Sequence, residues 1–236
     1  VTMPSEVIHA TGARPLKLCS SSYVGFHIGD YVTPRDACPL IKSVVGNVVG
    51  GISEIYKACD MYVVPVACDC KKKLASQLSD FKPTMPLYLP LNRTDDDGMA
   101  VYVNEVKNIA DKISEITKVK VTRESLAKAI ESEALVQREI RRFTKLKSEP
   151  GILIRGAHAL AVMNSLAYDD ISSWGSHLKK LNDELEEKKN NQEYLTKKKL
   201  PRILLTGSPI TFPNMKIPLI IEEQGGIIAA DETCLG

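Results

Sequence analysis

Tyr62-Val63-Val64-Pro65-Val66-Ala67-Cys68-Asp69-Cys70, followed at once by Lys71-Lys72-Lys73, decides how the chain is read. A short β-branched run predicts a strand, and that strand delivers two thiols to the place where a helix begins. Thiolates are soft ligands suited to zinc, Cu(I) or iron–sulfur clusters. Lysines and a helix N-terminus beside a thiol favour its thiolate form. The stretch therefore reads as a place to hold something soft and negatively charged. The three lysines also have an ordinary reading, as the solvated face of the helix that follows.

Working outward, a helix is expected over 71–78 and a strand over 85–90. Upstream, Asp36-Ala37-Cys38-Pro39 leads into Leu40, Ile41, Val44, Val45, Val48, Val49 and Ile52. Their spacing of three and four predicts a helix with Pro39 in its first turn and Cys38 at its N-terminus, where the dipole favours a thiolate. Gly46, Gly50 and Gly51 would let another backbone approach it. Before it come a short helix opened by Pro4 and stopped at Gly12, a strand over 15–19, and a polar loop including Gly25 to Asp30. Strand, helix and strand in this rhythm indicate a parallel α/β sheet, in which ligands bind at the carboxyl ends of strands. Cys68 and Cys70 fall at that edge. Residues 1–101 thus form a first α/β lobe.

From Tyr102 the texture becomes helical. Val106, Ile109, Ile113 and Ile116 make one stripe. Leu126, Ile130, Val136, Ile140 and Phe143 make a second, with Thr122 as its cap. Pro150-Gly151 breaks it; helices follow over 154–166 and around Trp174, Leu178, Leu181 and Leu185. Residues 102–199 read as a helical segment whose charges face solvent. A strand at Arg202 to Leu205, the turn Thr206-Gly207-Ser208-Pro209, a helix over 217–224 and a strand at Ile227 to Ala230 then begin a second α/β lobe over 200–236. It too presents a cysteine, Cys234, after a strand. The chain starts on Val1 and stops on Thr233-Cys234-Leu235-Gly236 directly after that strand. A domain seldom ends so, and a piece of a longer protein, its second lobe incomplete, is expected.

The 236 residues are 44% hydrophobic with a net charge of +2, an ordinary globular balance that points to neither nucleic acid nor a membrane surface. The six cysteines, Cys19, Cys38, Cys59, Cys68, Cys70 and Cys234, sit in a chain long enough to bury a core without disulfides. A reduced, cytoplasmic setting with metal or redox use is the expectation. Paired C-x-x-C units of a zinc module are missing from the sequence. Cys19 and Cys59 flank apolar runs and read as buried structural thiols. His27 reads as a surface loop histidine, with proton donation to a substrate as the functional alternative. Ser43 could support the Cys38 helix or need no special role.

Five motifs occur in order: Pro4-Ser5-Glu6-Val7-Ile8-His9-Ala10-Thr11-Gly12, Cys38-Pro39-Leu40-Ile41-Lys42-Ser43, Cys68-Asp69-Cys70-Lys71-Lys72-Lys73, Thr206-Gly207-Ser208-Pro209-Ile210, and the run from Gly225 to Gly236. Together they resemble the 2-hydroxyacyl-CoA dehydratase family, which includes benzoyl-CoA reductase subunits and double-cubane cluster proteins. The resemblance implies two Rossmann- or flavodoxin-like α/β lobes with a helical segment between them and an iron–sulfur cluster held between the lobes. It implies Cys38 and Cys68 as ligands, with Cys70 and Cys234 as further candidates. The family commonly has glycine where this chain has Cys70. That extra thiol favours an 8Fe-9S double cubane over a 4Fe-4S cluster, and so a low-potential reductase of small molecules. A dehydratase or reductase subunit acting on an acyl-CoA is the close alternative; a non-catalytic or zinc-binding subunit is a third. The implied partners are an ATP-hydrolysing iron–sulfur activator and a second subunit, identical or related, in a dimer. The chain has no Gly-x-x-x-x-Gly-Lys-Ser/Thr loop of its own, which fits a separate ATPase.

Overall fold

The computed structural model describes residues 3–18, 21–90, 92, 96–196 and 199–232. Cys19 and Cys234 lie outside them. The fold is mixed α/β and mostly helical, with small parallel sheets. The chain divides into two compact units, residues 1–130 and 131–236, and the helical run predicted over 102–199 is shared between them.

In the first unit, α1 (Ser5–Ala10) leads to α2 (Tyr23–Val32), α3 (Pro39–Val49) and α4 (Glu54–Ala58). Then β1 (Tyr62–Val66), α5 (Asp69–Leu78) and β2 (Thr84–Tyr88) form a βαβ unit, with β1 and β2 parallel and Tyr62 opposite Thr84. The period of two in β1 sorts its side chains to opposite faces. Tyr62 and Val64 join Ile41, Val44 and Val45 of α3 and Leu74, Ala75 and Leu78 of α5. Val63 turns the other way, with Met85 and the fully buried Leu87, toward Ile109 and Ile113 of α6 (Asp96–Thr117). Burying a side chain of this size contributes about 2 kcal/mol, so the two-stranded sheet is held by helices on both faces.

Two expectations fail here. The stretch from Gly25 to Asp30 is part of α2. Its glycines cost helix propensity in isolation, but α2 lies against α3 so closely that a Cβ on Gly29 would overlap the Lys42 carbonyl and one on Gly46 the Gly25 carbonyl. Tertiary packing outweighs propensity. Residues 15–18 form no strand, because no neighbouring strand accepts them among the described residues.

The helix α7 (Arg123–Lys147) opens on Thr122 as expected: Ser125 N–H donates to Thr122 Oγ1 at 3.1 Å, and Thr122 N–H donates to Ser125 Oγ at 3.0 Å. In the second unit the later part of α7 packs Val136, Phe143 and Leu146 against Ala159 and Met163 of α8 (Gly156–Ser165) and Trp174, Leu178 and Leu185 of α9 (Ile171–Asn190). Asp170 caps α9 by accepting from the N–H groups of Ser172 and Ser173. A second βαβ unit follows: β3 (Arg202–Leu205), α10 (Lys216–Glu223) and β4 (Ile227–Asp231), the strands parallel with an irregularity between Ile203 and Leu204. Lys147 at the end of α7 forms a buried ion pair with Asp231 at the end of β4.

Candidate functional site

Cys38 and Cys68 occupy equivalent places in the first unit. Each is the N-cap of a helix: Cys38 of α3, where Pro39 takes the first helical position, and Cys68 of α5. Each carbonyl accepts the first helical hydrogen bond, from Lys42 N–H at 3.0 Å and from Lys72 N–H at 3.1 Å. An N-cap is ordinarily Ser, Thr, Asp or Asn, whose oxygen accepts from the first-turn amides. At α3 and α5 no side chain caps the turn. Both helix starts therefore combine a free thiol with an uncapped, partly positive backbone.

Cys68 follows the carboxyl end of β1, the position the sequence predicted, and it is exposed. Cys70, within the first turn of α5, is half-buried and packs against the apolar cluster shared by α3, α5 and β1. Cys38 is half-buried and touches the same cluster. The helices α3 and α5 pack on one another. Beside their starts lies a shallow cleft of about 190 Å³, where Thr33, Pro34, Asp36, Ala37 and Ile41 face Asp69, Cys70, Lys73 and Gln77. Gln77 spans it, donating to the Val32 carbonyl at 3.2 Å. Lys72 and Lys73 are exposed.

The other singled-out residues sort as follows. Cys59 donates its S–H to the Ile55 carbonyl at 3.2 Å, and burial pushes its pKa up against the opposing pull of the Lys82 ammonium. It is a structural thiol. His27 stands exposed on α2, edge-on to Tyr23 with ring centres 4.3 Å apart. Ser43 donates to the Ser22 carbonyl at 3.1 Å and so braces α2 against α3. Lys42 is the residue to which the sequence reading gave no role. It is buried, and its ammonium donates to Asp30 Oδ1 at 2.5 Å and to the Arg35 carbonyl at 2.8 Å. A lysine between Ile41 and Val44-Val45, in the middle of an apolar stripe, was the available signal.

Two helix starts on adjacent helices, each carrying a cysteine, are the arrangement to explain. The profile of the 2-hydroxyglutaryl-CoA dehydratase D-component family matches residues 1–236. The chain belongs to this family. A curated relative, "Putative dehydratase subunit YjiM" of Escherichia coli (strain K12), is 28% identical over 235 residues. The match covers 99% of this chain and 61% of that protein, so the D-component chain spans about three-fifths of the relative's length.

The donor set of this D-component chain suits an iron–sulfur group in kind: thiols for iron, and first-turn amides able to donate to sulfur. Among the described residues, no three His, Cys, Asp or Glu side chains converge into a metal site. What the described residues bring to the two helix starts is two thiols and the first-turn amides beside them. No described helix is long and apolar enough to cross a membrane.

Proposed function

We propose that this chain is part of a dehydratase subunit that binds an iron–sulfur cluster through Cys38 and Cys68 and acts with a partner subunit on an acyl-CoA thioester. The observation that carries the reading is the pair of cysteine N-caps on the packed helices α3 and α5. The acyl-CoA substrate class is carried over from the family's name, 2-hydroxyglutaryl-CoA dehydratase. When bound, such a centre takes up and passes on single electrons. The chain's own residues bind it as thiolates, orient it with the first-turn amides of α3 and α5, and shield one side with the apolar cluster beneath Cys38 and Cys70. Lys73, at the edge of the cleft, offsets negative charge there. The two βαβ units, β1-α5-β2 and β3-α10-β4, are the repeating unit expected of two flavodoxin-like lobes. An ATP-hydrolysing activator delivering electrons, a dimeric assembly and a cytoplasmic setting belong to the same reading.

A second reading rests on Cys70. It lies in the same helical turn as Cys68, and a double cubane needs more thiolates than one cubane. Anaerobic reconstitution with iron and sulfide, followed by metal analysis, decides between them: about four irons per chain for the first, about eight for the second. Cys38→Ser and Cys68→Ser should each lower the iron bound. A colourless protein that takes up stoichiometric zinc instead, or full iron binding in both variants, would sink the proposal.

A further inference from the structure

Lys42, Ser43 and Asn47 are all buried on the side of α3 that meets α2. Ser43 and Asn47 are neutral and find acceptors, Ser43 donating across to the Ser22 carbonyl at 3.1 Å and Asn47 to the Ser43 carbonyl at 2.9 Å. Lys42 is different, because it is charged. Only 5% of its side chain is exposed, and an ammonium is not buried without cost unless acceptors meet its donors. Two acceptors do: the Asp30 carboxylate on α2 and the Arg35 carbonyl. The Phe26 ring lies 5.7 Å from the ammonium.

The Arg35 carbonyl is the informative partner. It belongs to the loop 33–37 that joins α2 to α3, three residues before Cys38. That loop forms one wall of the cleft that Cys70 and Lys73 line from α5. The Lys42 backbone N–H reaches the Cys38 carbonyl. The amide bond is the ordinary first bond of α3, so what the lysine side chain adds is its hold on the chain three residues upstream of the cysteine. Packing alone would be served by an aliphatic side chain, as at Ile41, Val44 and Val45.

We propose that Lys42 is the positioning residue for the Cys38 thiol: its ammonium pins the loop 33–37 and thereby fixes where Cys38 sits at the start of α3. This deepens the reading above, which supplies the reason why the placement of Cys38 matters. The geometry itself needs no metal, so the test uses metal-free protein. Each cysteine's alkylation rate with iodoacetamide is followed by mass spectrometry on the full chain. In Lys42→Met, Cys38 should react about tenfold faster, the effect of losing a loop contact of ordinary hydrogen-bond strength. Cys68, already exposed, and Cys59, in the same unit but away from the loop, should keep their rates. Asp30→Asn, which leaves the Arg35 contact, should give a smaller rise confined to Cys38. An unchanged Cys38 rate, or a rise shared equally by Cys59, overturns the proposal. If Lys42→Met fails to fold, Asp30→Asn decides by the same comparison of Cys38 with Cys59. Loss of the iron-binding result with these rates as expected would sink the cluster assignment and leave Lys42's role standing.

Discussion

The Lys42 carbonyl oxygen fills the space that a methyl group on Gly29 would require, and the Gly25 carbonyl does the same to Gly46. The helices α2 and α3 therefore meet backbone against backbone. Gly29→Ala or Gly46→Ala should destabilise the chain by about 3 kcal/mol, the upper end of overpacking costs, although alanine is the better helix former by about 1 kcal/mol. Urea unfolding measures this. Wild-type stability in either variant would mean that the helices do not approach so closely.

The two thiols of α5 should respond differently to substitution. Cys68 is exposed, so Cys68→Ser should change stability by no more than about 0.5 kcal/mol. Cys70 packs on the apolar cluster, so Cys70→Ser places a hydroxyl there and should cost about 1 kcal/mol. Denaturation of the metal-free variants tests the difference, independently of any change in iron binding.

In the second unit, Lys147 and Asp231 keep only 6% and 3% of their side chains exposed, and Asp231 Oδ1 has no hydrogen-bond partner among the described residues. Lys147→Met strands a buried carboxylate and should cost about 3 to 5 kcal/mol. Lys147→Met combined with Asp231→Leu should recover most of that loss. A double variant as unstable as the single one would show that the pair holds the end of β4 by geometry and not by charge balance.

Acid should weaken the fold through identifiable carboxylates. The Lys42 ammonium holds Asp30 below its ordinary value; Lys179 and Arg142 do so for Asp183, and Arg142 for Glu186. Arg142 is itself held further toward its charged form by Glu186 and Asp183. Because the folded-state values lie below the unfolded ones, the stabilisation is present above roughly pH 4 and is lost as pH falls through the depressed values. The urea midpoint should be flat near neutrality and decline below about pH 4. In Arg142→Gln the decline should be shallower, from a lower neutral starting point.

The sequence disclosed most elements because their signals are local. The β-branched run before Cys68, the stripe beginning at Leu40 and the cap at Thr122 act within a few residues, and each element begins where it was expected, although α3 stops at Val49, short of Ile52. Gly25 and Gly29 misled for the opposite reason. Their purpose is contact with α3, a relationship between segments that no single window contains. Likewise, residues 15–18 alternate like a strand but find no partner among the described residues. At the candidate site, the cysteines' positions at helix starts were legible. Their different exposure was not, because Cys70 turns toward a cluster assembled from α3 and β1. Lys42's grip on Arg35 was hidden too, since it depends on the path of a loop.

Leaving α3 and α5 to start on sulfur has a practical outcome. Where an oxygen-bearing residue would have stabilised each helix start by about 1 kcal/mol, the protein forgoes that contribution. Any group that settles onto both thiols and their amides restores it and adds its own binding energy. Melting temperature then serves as a gauge of binding: a thermal scan across metal ions and sulfide would show which of them, if any, the two helix starts take up.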